Sequence, residues 1–462
     1  MRQGRLPNGF GVRIDPAVRS YSGGQVLFGG MPMKMLKLTP SAASMIGDGY
    51  LRVSDPKSAV VARRLLDSGV ANPRPELSPS MGDVTVIIPV RNNAAGLNRL
   101  LSVLRGHNVI VVDDASDDPA RIIAEARCRV SVIRHEIARG PAAARNTGLR
   151  AATTDFVAFL DADVVPKNGW LELMLSHFSD PSVALVAPRM LRLDPDANLL
   201  SRYESGRTAF DLGRRESAIE SRGVVTYVPS AAVLLRREAL LEEGGFDEII
   251  NVAEDIDVCM RLERAGWRLR YEPAAHVNQD SSESVRQWLQ RKARAGAASA
   301  RLGERHPGMV SPVTISPSTA AAGLLLASLT RVGWLAALLT FVGAVVRMRT
   351  VFADVDGKTK VAAIYTGQGF AFGFWRLVSA MFRQYWPVTA VAMVVSPRIR
   401  KVAVAVAIAE GAVDWFRYRN NGTLDPVRYI ALKRADDLAY GSGLWAGVFD
   451  SRNAEALRPN VR

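Results

Sequence analysis

From about Asp83 to His306 the apolar positions switch repeatedly between two periods. Val84–Val90 (VTVIIPV) is a continuous run, as in a strand covered on both faces. Leu97, Leu100, Leu101 and Leu104 then recur at the spacing of one helix face. Val109–Val112 (VIVV) predicts the next strand, and Phe156–Leu160 has the length and the β-branched and aromatic content of another. Strands alternating with helices predict an α/β domain with a mixed, mostly parallel sheet over residues 84–306. Residues 1–75 carry short amphipathic stretches, of which VVARRLLDSGV is the clearest, and ANPRPELSPSMGD then reads as a Pro/Ser linker, with 76–83 as its core. Residues 307–462 turn apolar with scattered arginines, and are expected to be helical and membrane-associated. No internal repeat or low-complexity tract is evident.

Composition narrows the partners. With 462 residues, 48% of them hydrophobic, the chain can bury more than one core. A net charge of +14 points to an anionic partner such as nucleic acid, a phosphorylated substrate or an anionic membrane face. Cys128 and Cys259 are far apart and lack metal spacing, so neither a disulfide framework nor a zinc site is implied, which fits the cytoplasm. No charged segment followed by an apolar run opens the chain, so no signal peptide is expected.

The chemistry gathers where predicted strands end. The run FVAFLDADVVP closes a buried strand with Asp161 and Asp163, and ionised groups at a core edge need partners. Arg91-Asn92-Asn93 and Asp113-Asp114 occupy corresponding places after the two earlier strands. Ligands of open α/β sheets lie beyond the carboxyl ends of the strands. A D-x-D turn in a strongly basic chain suits Mg2+ or Mn2+, which take carboxylate and phosphate oxygens. Arginines of RGPAAARNTGLRAA, Arg145 among them, lie on a helix that Pro141 would open, and a helix N-terminus favours anions.

The segments VIIPVRNN, VIVVDDASDD, GPAAARNTGLRAATTDFVAFLDADVVP, GGFDE and EDIDVCMRLERAGW, in that order, resemble the family 2 glycosyltransferases of GT-A fold over roughly residues 84–280. The resemblance implies transfer of a sugar from a nucleotide donor with inversion. It implies that Pro89, Arg91, Asp113, Asp114, Arg145 and Asp161 bind the nucleotide sugar, and that Asp161 and Asp163 bind the metal.

Glu254 and Asp255 begin a helix whose Ile256, Cys259 and Met260 face inward and which Gly266 ends. Acids in a first turn complement the helix dipole, which is the plain structural reading. The family pattern instead implies that Asp255 is the general base, with Glu254 and Asp257 as acceptor contacts or scaffolding. For His276 a satisfied polar residue and a third metal ligand, as the family often places here, stand level. The run RQWLQRKARAGAASARLGERHPG, with Arg291 and Lys292, is either a solvated face, a clamp on diphosphate or a contact with anionic lipid.

The uncharged runs Thr319–Thr330 and Val332–Val346 are each too short to span a bilayer, but joined they span it with Arg331 near the middle, at a cost of about 2.5–3.5 kcal/mol. Amphipathic or re-entrant helices on the cytoplasmic leaflet are the expectation, with one or two spans as the alternative. LKLTPSAASMI and AVVARRLLDSGVANPRP resemble the small winged-helix, PqqD-like peptide-binding domains of ribosomal-peptide maturation. Fused to a family 2 domain with a YGSGLWAG tail, this resembles the mycofactocin-system glycosyltransferases of actinobacteria. That resemblance implies UDP-glucose as donor, premycofactocin as acceptor, a short β-1,4-glucan as product, and contact of the N-terminal domain with peptide-maturation proteins. A membrane-associated enzyme of cell-wall polysaccharide or glycolipid synthesis is the alternative. The chain departs from processive relatives in lacking Q-x-x-R-W, which favours distributive addition. A dinucleotide oxidoreductase is disfavoured because PVRNNAAG lacks G-x-G-x-x-G. A non-catalytic nucleic-acid or lipid binder would not need acids at successive strand ends, so no nucleic-acid partner is expected.

Overall fold

The computed structural model describes residues 4–31, 33–119, 121–122, 130–207, 211–221, 223–249, 253–280, 284–307, 310–328, 330–353, 355, 357–419 and 424–461, so Cys128 lies outside the described residues. The chain forms two compact units, Met1–Pro195 with Arg207–Ser282 and Asp196–Gly206 with Glu283–Arg462.

The first unit opens with a small module of six short strands: β1 (Gly11–Ile14), β2 (Arg19–Tyr21), β3 (Val26–Gly29), β4 (Lys34–Lys37), β5 (Tyr50–Arg52) and β6 (Ala71–Arg74). They pair antiparallel as β5-β1-β6 and β2-β3-β4. The helix Pro56–Asp67 starts at a capping box between Asp55 and Ser58 and buries Ala62 and Leu65 against Leu6, Phe10, Val12 and Leu51. The LTPSAA segment makes a single turn, Pro40–Ala43, capped by Thr39. It stops short of Gly47-Asp48-Gly49, where Asp48 and Gly49 take left-handed φ of 49° and 72°.

Ion pairs join this module to the α/β domain. Arg63 is bidentate to Asp180 at 2.6 and 2.7 Å, Arg268 to Asp67 at 2.7 and 2.8 Å, and Arg74 to Glu216 at 2.7 Å on both arms. Arg215 reaches Asp15 at 2.8 Å. The ANPR of the expected linker is β6, paired in register with β1.

The α/β domain is built on β7 (Val84–Val90), β8 (Asn108–Asp113), β9 (Val130–Arg134), β10 (Phe156–Leu160), β11 (Val164–Pro166), β12 (Val183–Arg192), β13 (Ser217–Ala218), β14 (Ala232–Arg236) and β15 (Arg268–Gln279). The sheet order is β11-β15-β12-β14-β10-β7-β8-β9, with β13 on β15. Strands β7 to β10 pair parallel, and β14 runs antiparallel to β10, giving a mixed sheet. Successive side chains of a strand point to opposite faces. Val86 and Ile88 accordingly join one core with Leu97 and Leu100, while Ile87 joins the other with Leu149, Phe159 and Leu262. Helices cover both faces, which is why these strands read as uninterrupted apolar runs.

The second unit is helical. The helices Val285–Arg305 and Pro426–Ser451 pack closely, and a Cβ on Gly443 would lie 1.9 Å from the Ala293 carbonyl oxygen, so the YGSGLWAG tail is a close-packing stripe. Lys433 is fully buried between Glu410 at 2.7 Å and Asp437 at 3.2 Å. Lys292 is buried against Glu204 and Asp436, both at 3.3 Å, and Arg291 pairs with Glu204 at 2.9 Å. These internal pairs replace the solvated, phosphate or lipid roles considered for the two residues.

The joined span through Arg331, part of the alternative reading, is not formed. The apolar runs form separate helices, Pro317–Ala327 and Arg331–Val351, because Thr330 caps the second by accepting from Gly333 N at 3.0 Å. Arg331 therefore begins a helix rather than interrupting one. Among the described residues, Arg331–Val351 alone is long and apolar enough to cross a membrane. Pro317–Ala327 and Trp386–Val395 are apolar but shorter.

Candidate active site

The carboxyl ends of β7, β8 and β10 come together with the first turn of the helix Glu254–Arg264. The loops there are tied to one another. Asn92 N donates to Ser116 Oγ at 2.9 Å, and Asn92 and Asp117 exchange hydrogen bonds at 2.9 and 2.8 Å. Asn92, Ala115 and Ala253 take left-handed φ of 55°, 57° and 78°, a conformation that costs a non-glycine residue about 1–3 kcal/mol and concentrates at functional sites. Ala253 directly precedes Glu254 and sets the angle at which the chain enters that helix.

Asp113 is buried, accepting from Ser116 N at 3.0 Å and from Arg134. Asp114 accepts from His135 Nδ1, Arg139 N and Gly140 N, each at 2.8 Å. Burial would raise its carboxyl, but the Arg139 and Gly140 amides and His135 hold it below the usual range. Both aspartates thus shape the loops around Pro89, which is half-buried, and Arg91, which is exposed at the strand end.

The helix Pro141–Ala151 brings Arg145 into the interior, where it is 3% exposed. Its Nη2 donates to Asp161 Oδ1 at 2.7 Å and its Nη1 to Glu254 Oε1 at 3.0 Å. The guanidinium also lies 5.5 Å from the Phe246 ring centroid. One side chain therefore joins the D-x-D turn to the helix that carries Asp255.

Asp163 Oδ2 accepts from Gln279 Nε2 at 3.2 Å. Burial, and then the charge of Asp161, push its carboxyl up to about 6. The first turn of the helix Ala94–Val103 packs directly on this D-x-D turn, since a Cβ on Gly96 would lie 2.4 Å from the Ala162 carbonyl oxygen. Asp161 and Asp163 offer paired carboxylate oxygens of the kind a hard divalent ion takes, and Arg145 offsets only the Asp161 charge, so the donor set fits Mg2+ or Mn2+.

His276 stands apart from the pair. Strand β15 meets Asp163 at Gln279, and His276, three residues earlier, falls on the opposite face of the strand. Burial, Lys167 and Arg189 hold its imidazole below its ordinary value. Among the described residues no three His, Cys, Asp or Glu side chains cluster as a metal site.

Asp255 is half-buried, and its Oδ1 accepts from Ile256 N at 2.8 Å. Burial, and then the neighbouring charge of Glu254, push its carboxyl up to about 7, within the working range of a general base. Glu254 is spoken for by Arg145. Asp257 is fully buried and holds Arg261 at 2.7 Å, which in turn donates to the carbonyls of Glu243 and Gly245, so it is scaffolding. Cys259 lies beneath, its thiol pushed up to about 12 by burial and so inert.

Gln279, Gly96, Ala253 and Phe246 escape a reading of the sequence. GGFDE announces Phe246 only as part of a motif, and nothing local marks Gln279.

The family model described as "Glycosyl transferase family 2" matches residues 85–243. The pre-mycofactocin glycosyltransferase of Mycobacterium tuberculosis is 46% identical over 99% of this chain and 99% of its own. The O-antigen chain rhamnosyltransferase WbaN of Salmonella anatum is 30% identical over 40% of this chain and 59% of its own. A solved mannosyltransferase from Pyrobaculum calidifontis, in complex with GDP-mannose and Mn2+, covers 67% of this chain and 92% of its own at 19% identity, with a TM-score of 0.39.

Proposed function

Since the chain belongs to glycosyl transferase family 2 and has its GT-A fold, we propose that it moves glucose from UDP-glucose to premycofactocin with inversion, building a short β-1,4-glucan. The observation that carries the acceptor is the 46% identity, end to end, with the pre-mycofactocin glycosyltransferase. The chemistry rests on this chain's own residues. Pro89 at the end of β7 and Arg91 just beyond it, beside loops pinned by Asp113 and Asp114, receive the nucleotide. Asp161 and Asp163 would hold a divalent ion, which would supply charge neutralisation for a diphosphate leaving group. Arg145 fixes Asp161 and Glu254 in mutual register. Asp255 takes the proton of the acceptor hydroxyl as its oxygen bonds to the anomeric carbon, and UDP leaves from the opposite side.

The N-terminal module, similar in sequence to the PqqD-like winged-helix domains, serves capture of the peptide-derived acceptor or docking of its maturation proteins. The second unit attaches the enzyme to the anionic cytoplasmic face of the membrane. Val332, Leu335, Leu338 and Leu339 on one helix and Val388, Val391, Val394 and Val395 on another are exposed, and Arg347, Arg349, Arg398, Arg400 and Lys401 follow them in the chain.

The test is incubation of the purified chain with UDP-glucose, Mn2+ and premycofactocin. The expected result is a ladder of successive hexose additions by mass, released by a β-1,4-glucanase. Transfer only to a lipid or polysaccharide acceptor would overturn the assignment.

A further inference from the structure

A cavity of about 200 Å3 lies between the N-terminal module and the sheet, wholly inside the first compact unit. Phe10 and Leu66 wall it from the module, and Trp267 and Leu269 from the domain. Asp67 and Asp180 border it but are neutralised by Arg268 and Arg63.

Arg270 differs from these paired groups. It lines the cavity at 6% exposure, its Nη2 donates to Asn72 Oδ1 at 3.1 Å, and its Nε is buried without a partner. His177, 3% exposed, engages Glu272 through Nε2 at 2.9 Å and leaves Nδ1 buried and unpartnered. A buried polar group left unpaired is destabilising, the more so when charged. Lys34 is exposed on the rim. Glu220 also lines the cavity; burial holds its carboxyl above the usual range, and the charge of Lys34 acts against that shift.

We propose that this cavity is a second ligand site, for a small carboxylic acid with an aromatic or aliphatic body, its carboxylate held by the Arg270 guanidinium and Lys34 and its body by Phe10 and Trp267. The volume falls below the ~300–1,000 Å3 of sites for drug-sized ligands and matches a body the size of one amino acid. The site is separate from the transfer chemistry. Glu263 lines it from the far end of the helix whose first turn carries Asp255, eight residues or roughly 12 Å along the axis.

Isothermal titration of the full chain with N-acetyl-L-tyrosine and with its methyl ester tests this without reference to glycosyl transfer. The acid is expected to bind about tenfold or more tightly than the ester, as loss of one charge-assisted contact predicts, and with or without UDP alike. Ala218→Phe, which fills the cavity, should abolish binding, and Lys34→Glu should weaken it about tenfold, both at unchanged UDP affinity. Should Ala218→Phe not fold, Lys34→Glu on the exposed rim carries the test. No binding of the acid at millimolar concentration, equal binding of acid and ester, displacement by UDP, or indifference to Lys34→Glu would each overturn the proposal.

Discussion

Arg145 Nη2 lies 2.7 Å from Asp161 Oδ1, at 4% side-chain exposure for the arginine and 30% for the aspartate. The same guanidinium holds Glu254 at 3.0 Å, so the D-x-D turn and the helix that carries Asp255 share one cation. Arg145 is thereby a positioning residue. Its charge is already divided between two carboxylates before any diphosphate arrives.

Arg145→Ala should destabilise the first unit by about 3–5 kcal/mol, because two partly buried acids lose their partner. Arg145→Lys cannot span both acids and should lower kcat more than it raises the KM for UDP-glucose. Denaturant unfolding and steady-state kinetics check the pair. A variant lysine with wild-type kcat would remove the positioning role.

Asp255→Asn should reduce transfer by about 10^2–10^4-fold while UDP still binds by titration calorimetry. In the native enzyme the kcat of transfer should rise as pH passes upward through about 7, since the base must be ionised. Stability runs the other way. A carboxyl raised in the folded state contributes stability that is full below its unfolded value of 3.8 and is lost as pH climbs through about 7. Asp255→Asn should therefore raise Tm by about 2–4 °C at pH 8 and change it little at pH 4.

Asp163→Asn should leave the fold intact and abolish metal-dependent transfer. Mn2+ titration followed by electron paramagnetic resonance should show weaker binding by about tenfold or more, independently of turnover. Wild-type transfer that persists in EDTA would defeat the metal assignment.

Deleting residues 1–75 should yield insoluble or inactive protein. The deletion strands Asp180, Glu216 and Arg268, each of which holds a bidentate partner in the module. Arg63→Ala alone should cost about 3 kcal/mol, from a pair at 16% and 5% exposure. A soluble truncation with normal UDP-glucose hydrolysis would show instead that the module is separable.

Val391→Asp with Val395→Asp, at positions 64% and 77% exposed, should release the protein from vesicles containing anionic lipid without changing its Tm. Flotation with neutral and anionic vesicles distinguishes this from simple charge attraction, which raised salt would abolish.

What the sequence by itself determined is local. The two-faced strands appear as apolar runs because both faces of β7 and β10 are covered, and their polar ends appear because the runs stop at Arg91, Asp113 and Asp161. The first-turn position is shared by Glu254, Asp255 and Asp257, and only the family resemblance singles out Asp255. The tertiary structure alone decided how the charges pair. Arg145 and Glu254 are 109 residues apart, Arg63 and Asp180 117, and Asp163 and Gln279 116. No sequence window contains both members of such a pair. Asp257 and Glu254 read alike in the helix pattern, yet one is sealed under Arg261 and the other turned to Arg145. Lys292 reads as a surface lysine and is buried, because the helix tail beside it supplies Asp436. A side chain's chemistry travels with its residue type, whereas the charge it meets depends on which distant segments the packing of the cores brings alongside.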